Sequence, residues 1–199
     1  MYMASPARGN TPHHKQIPDG PIQVFSAIIE ESKADEWSKR IKALIELVKQ
    51  IPEGSSYSEG STWFNTPAML RHLALPISEL LKDARSTVVK RTCEHLVKLF
   101  NRCQADARYL FKDIMPTILA VHAQTVHVIR LAVQKMVMES IPEVPCKMIM
   151  PLWMERLKQD KSRTVREACA LYLGQALMSW TEEGYLTEEI WMQVGTVLI

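Results

Sequence analysis

A proline, a polar turn and a helical apolar stripe recur in phase three times along this chain, and that repetition leaves few folds open. The last copy is the clearest. From Val165 the apolar residues continue at Ala168, Cys169, Tyr172, Leu173, Ala176, Leu177 and Trp180. That i, i+3, i+4, i+7 spacing is one face of an amphipathic helix. A polar, basic turn, Gln159 to Thr164, introduces it, and before the turn lies another helix-like run, Met148 to Leu157, with Pro151 inside it. A proline in mid-helix removes a backbone donor and forces a bend, so it needs a structural reason.

The same order appears at Pro76, followed by a stripe at Val89, Thr92, Cys93, Leu96, Val97 and Phe100. It appears again at Pro116, followed by Ile129, Ala132, Val133, Met136 and Val137. The proline precedes its stripe by 13, 13 and 14 positions, and the stripes lie 40 and 36 residues apart. A helix–turn–helix repeat of this length with a proline in its first helix reads as the HEAT/armadillo type. The expected fold is therefore all-α, an α-solenoid of about four HEAT-like repeats plus the start of a fifth.

Residues 1–20 are rich in proline, glycine and polar side chains without periodicity, which predicts a disordered tail. His13-His14 within it is a weak metal signal. The domain is expected over 21–199, with repeats near 21–51, 66–102, 106–140 and 142–180 and a partial one at 187–199. Repeat one is atypical, with a first helix from Ile22 to about Glu31 and a second from Glu36 to Gln50. Its stripe, Ala43, Leu44, Leu47, Val48 and Ile51, matches Ala168 to Ala176 at a constant offset of 125, but Arg40 falls where Val165 sits. Pro52 to Pro67 reads as a Gly/Ser-rich connector, docked by Trp63 and Phe64. The apolar end Val197-Leu-Ile199 is unlike a polar solenoid cap, which predicts a fragment that stops short of the natural domain end.

The 199 residues can bury a core without disulfides. No run approaches the roughly 18 to 20 apolar residues of a membrane span, and no signal-peptide pattern opens the chain. Cys93 and Cys169 occupy equivalent stripe positions, Cys103 and Cys146 lie near helix ends, and none has metal-ligand spacing. Free thiols in a reducing cytosol are expected.

Net charge is only +2, but its distribution is uneven. The four turns leading into second helices, Lys33–Arg40, Lys82–Arg91, His122–Arg130 and Lys158–Arg166, carry +1, +3, +1 and +3, a total of +8 that leaves −6 for the remainder. Equivalent turns of a stacked solenoid line one edge, so the cations predict a basic ridge able to receive an acidic partner. Trp37 opens the second helix of repeat one, off its core stripe. It is either packed against the neighbouring helix start or an exposed aromatic anchor of the kind that dominates interfaces. Asp83 and Asp160 begin turns and are expected to cap the helices that follow.

A tryptophan at the first turn of a HEAT array, followed by basic turns along one edge, resembles the TOG domain, a tubulin-binding solenoid, and most closely the CLASP family. The matching pieces are Asp35–Leu44, Leu81–Lys90, Ile114–Ile118 and Thr164–Arg166. The resemblance implies a domain that binds tubulin along the face of intra-repeat turns and regulates microtubule stability. It places Trp37 against β-tubulin with Arg85, Ser86 and Thr87 beside it, and Lys161 and Arg163 toward α-tubulin. Lys39, Lys90, Thr125, Arg130 and Arg166 complete the expected tubulin-binding set. The implied setting is the cytoplasm and its microtubule cytoskeleton, with spindle and cilium among the candidate structures, as a monomeric domain of a larger protein.

Catalysis is not expected, and neither is a cofactor. There is no Gly-rich phosphate loop, no nucleophile elbow and no cluster of ligands at metal spacing. The rival reading is a HEAT scaffold for a protein other than tubulin. Nucleic-acid binding through the ridge is disfavoured by the small net charge, because phosphate binding draws on many cations.

Overall fold

In the computed structural model the described residues are 30–31, 36–51, 70–181 and 192. The expected tail, the connector with Trp63 and Phe64, most of the first helix and the helix near Thr187 lie outside them. Seven α-helices span the described part: α1 (Trp37–Gln50), α2 (Ala74–Leu81), α3 (Ser86–Cys103), α4 (Arg108–His122), α5 (His127–Ser140), α6 (Met150–Gln159) and α7 (Arg163–Thr181). Short 3-10 turns, Gln104–Ala107 and Lys147–Ile149, precede α4 and α6.

The helices form two layers. Second helices α1, α3, α5 and α7 each contact the next in series, while first helices α2 and α4 stack on the other side. This is an all-α helical-repeat array, as the periodicity requires. The stripes face the space between layers. Val89, Cys93, Leu96 and Phe100 of α3, Ile129, Val133, Met136 and Val137 of α5, and Val165, Ala168, Cys169, Tyr172, Leu173, Ala176 and Trp180 of α7 are all buried. Burying one such aliphatic or aromatic side chain contributes about 1.5–3 kcal/mol.

Aromatic and polar contacts lock the helices together, both within repeats and across their boundaries. Phe100 meets Phe111 edge-on at 5.3 Å, and Trp153 lies 5.7 Å from Tyr172 and 6.2 Å from Trp180. The indole N–H of Trp180 donates to the carbonyl of Ile141 at 2.7 Å. Buried hydroxyls back-bond within their helices, Thr92 to the Val88 carbonyl and Ser140 to that of Met136, so they enter the core without an orphaned donor. Arg102 reaches from α3 to the carbonyls of Val48 and Ile51, which end α1. That satisfies acceptors that a helix C-terminus leaves open.

The prolines play unequal parts. Pro116 lies inside α4, but Pro151 sits in the first turn of α6 and Pro76 is the third residue of α2. In a first turn the missing N–H has no intrahelical partner to lose, so Pro151 starts its helix rather than bending it. Arg40, the departure from the stripe, remains half-buried and ion-pairs with Glu79 at 3.8 Å.

Candidate functional site

Three reversals join first to second helices: 82–85, 123–126 and 160–162. Each follows the C-terminal end of a first helix, so stacking sets them along one edge, with the start of α1 at the head of the row.

Trp37 is the first residue of α1, after Glu36 as N-cap. Its ring is half-buried and packs on the cluster of Ile41, Leu44, Leu80 and Val88. The guanidinium carbon of Arg85, the N-cap residue of α3, lies 5.9 Å from the indole centroid. Arg85 also pairs with Asp83 at 3.6 Å. The first and second repeats thus share one aromatic–cation contact, worth about 0.5–1 kcal/mol where exposed. Trp37 packs on its neighbours, as the first of the two expectations has it, while part of its surface stays exposed.

The aspartates do not cap helices as expected. Oδ1 of Asp83 accepts from the N–H of Arg85, and Oδ1 of Asp160 from that of Ser162, both at 2.9 Å. Each folds the turn upon itself and holds the residue that precedes its helix.

The remaining expected residues divide by what their side chains already hold. Arg166 donates to the carbonyls of Asp160 (2.6 Å) and Lys161 (3.2 Å), and Arg130, at the equivalent position, donates to that of Gln124 (3.1 Å). These two guanidinium groups are spent on their own loops. Lys39 pairs with Glu36 at 3.2 Å and Arg163 with Glu167 at 2.7 Å, both on the surface. Lys90 and Lys161 are exposed and make no ion pair with any described residue. Thr87 and Thr125 are exposed, and Ser86 is half-buried.

Sequence reasoning missed the bonds that fix neighbouring turns. Thr164 Oγ1 donates to the carbonyl of His122 at 2.6 Å and lies 2.9 Å from Ser162 Oγ, which ties the fourth turn to the end of α4. It also missed a groove of about 610 Å³ between α3 and α5, floored by Val97, Ala132 and Met136. Lys90 and Val128 stand near the starts of those helices, at the groove's end nearest the rim. The exposure of Val128 and Leu131 was legible only as apolar residues beside the stripe of α5.

Among the described residues no group of His, Cys, Asp and Glu could hold a metal ion, and no helix is long and apolar enough to cross a membrane. A two-layer HEAT-type array headed by a tryptophan at its turn edge defines a TOG-type domain. The chain belongs to the CLASP N-terminal family, which matches residues 22–193. It is similar to a CLIP-associated protein of Arabidopsis thaliana, 24% identical over 147 residues that cover 74% of this chain. The chain spans 10% of that relative's length.

Proposed function

We propose that this chain is a tubulin-binding domain that docks by its rim of intra-repeat turns and regulates microtubule dynamics. It acts by binding, without catalysis or cofactor, as a monomeric domain of a larger cytoplasmic protein on microtubules. The observation that carries this reading is the Trp37–Arg85 pair, which joins two repeats at the head of the rim and sets a partly exposed indole beside an exposed cation. Arg85, Thr87, Lys90, Thr125, Lys161 and Arg163 extend the footprint, and membership in the CLASP family supports it. Arg130 and Arg166 act indirectly, by shaping the turns.

The half-buried ring of Trp37 favours a second reading, a scaffold that binds a different protein and uses the indole for packing. Co-sedimentation with microtubules, alongside binding to free tubulin and to a DNA duplex, separates the two. Trp37→Ala is expected to weaken microtubule association by more than about 1 kcal/mol. Arg85→Ala, which leaves the apolar cluster intact, is expected to weaken it as well. Parent-like binding by both variants would remove this pair from the interface and leave the scaffold reading.

A further inference from the structure

A second cationic surface lies at the other end of the first helices. Arg71 and Arg108 flank the ring of Tyr109, at 5.8 Å and 5.6 Å from its centroid. The Nε of Arg71 donates to Asp113 at 2.9 Å, one repeat further along the chain. Cys146 Sγ donates to the carbonyl of Arg108 at 3.3 Å, which brings exposed Lys147 to the same corner. Burial raises the Cys146 thiol to about 11, and among the influences that oppose it are the charges of Lys112 and Arg108. Arg71, Lys112, Asp113, Met148 and Leu152 line one cavity of about 500 Å³.

The charges here are poorly matched. The side chains of Lys112 and Lys147 make no hydrogen bond or ion pair with any described residue, and the guanidinium of Arg108 lies over the tyrosine ring with the charge of Asp106 nearby. Two carboxylates are placed with the four cations: Asp113, held by Arg71, and Asp106, beside Arg108. Arg71, Arg108 and Lys147 lie 37 and 39 residues apart, so the cluster repeats with the array. It also has an apolar part, because Met148 is 40% exposed at the cavity. Lys112 stands eleven residues before Ala123 along α4, about 17 Å at 1.5 Å per residue, so this patch is separate from the turn rim.

We propose that this patch is a second docking surface, which receives an acidic polypeptide segment that carries an apolar side chain. The cations meet the carboxylates, and the anchor enters the cavity beside Met148 and Leu152. A polypeptide fits better than a nucleic acid, because Arg71 and Lys112 line a cavity that also offers Met148 and Leu152 to an apolar side chain, and the carboxylates of Asp106 and Asp113 among the cations oppose a run of phosphates. The inference does not depend on tubulin binding at the rim.

The test uses the full chain and a labelled glutamate-rich peptide with one central phenylalanine, its glutamine counterpart, and a DNA duplex, read by fluorescence anisotropy. The acidic peptide is expected to bind in a salt-dependent way, and the glutamine peptide much more weakly. Lys112→Glu combined with Lys147→Glu is expected to weaken binding by about tenfold or more, while Arg85→Glu on the rim leaves it unchanged. Both lysines are exposed, and an unchanged thermal melt confirms that the variants fold. Failure of the acidic peptide to bind would overturn the proposal, as would equal binding of the glutamine peptide. Binding that survives the double reversal, or that the duplex displaces, would overturn it too.

Discussion

His122 Nε2 and the hydroxyl of Tyr172 lie 2.6 Å apart, on helices α4 and α7 of successive repeats. Burial, and after it the charge of Arg130, lowers the imidazole to about 4, so the ring is neutral at neutral pH. Burial pushes the Tyr172 hydroxyl well above 10, so it keeps its proton. The pair is a neutral hydrogen bond inside the array, and the backbone carbonyl of the same histidine receives Thr164 from the rim.

That arrangement fixes a pH dependence. An unfolded histidine titrates near 6.5 and the folded one near 4, so the unfolded chain binds more protons between those values. The stabilisation is complete above about pH 6.5 and is lost as pH falls toward about 4, on the order of 3 kcal/mol at most. Denaturant unfolding at neutral and mildly acidic pH measures the loss, and His122→Gln is expected to flatten that part of the profile. An unchanged slope in the variant would assign the dependence to other groups.

Gly174 lies within α7, and a Cβ built there meets nothing within 4 Å. No internal packing requires a glycine at this point. Gly174→Ala is therefore expected to stabilise the fold by about 0.5–1 kcal/mol, because glycine carries a larger entropy cost in a helix. Thermal or denaturant melts read the gain, and a loss of stability would mean that the substitution disturbs the helix in some other way.

All four cysteines are buried free thiols, raised by burial to about 12 at Cys93, Cys103 and Cys169 and to about 11 at Cys146. A thiolate is the reactive form. The native protein is expected to resist a thiol-specific reagent at mildly alkaline pH and to react at all four positions once denatured. Rapid reaction of any one in the native state would mark a site of local opening.

Charge reversal at Arg85 and at Lys161 separates the ends of the rim. If both touch tubulin, their effects on microtubule co-sedimentation are expected to add, since they belong to different repeats and share no partner. Loss of binding from only one confines the footprint to that end. Arg166→Ala is expected to lower stability first, by about 1–3 kcal/mol, because its guanidinium binds two carbonyls of its own turn.

The helices were legible because apolar periodicity is a local code. A stripe such as Val165 to Trp180 names its own buried face before any neighbour is known. What the side chains of the turns hold was not legible. Arg130 and Arg166 resemble Lys90 and Lys161 in the sequence, and only the turn's shape decides which cation folds back on a carbonyl. The half-burial of Trp37 depends on Leu80 and Val88, residues of two other helices that no local pattern places beneath it. The patch at Arg71, Arg108 and Lys147 did leave a signal, since the three recur at the repeat length. It was hidden because they open first helices, while the charge count followed the entrances to second helices.

The proline inside α4 bears on that same patch. Residue 116 has no amide hydrogen to give the carbonyl of Lys112, four positions earlier. Both residues are exposed and line one cavity. The hydrogen-bond ladder of α4 therefore lacks one rung beside the exposed ammonium group. For the docking surface proposed above, the consequence is a wall whose backbone is locally less tightly braced than an uninterrupted helix, beside the side chains that would receive the segment.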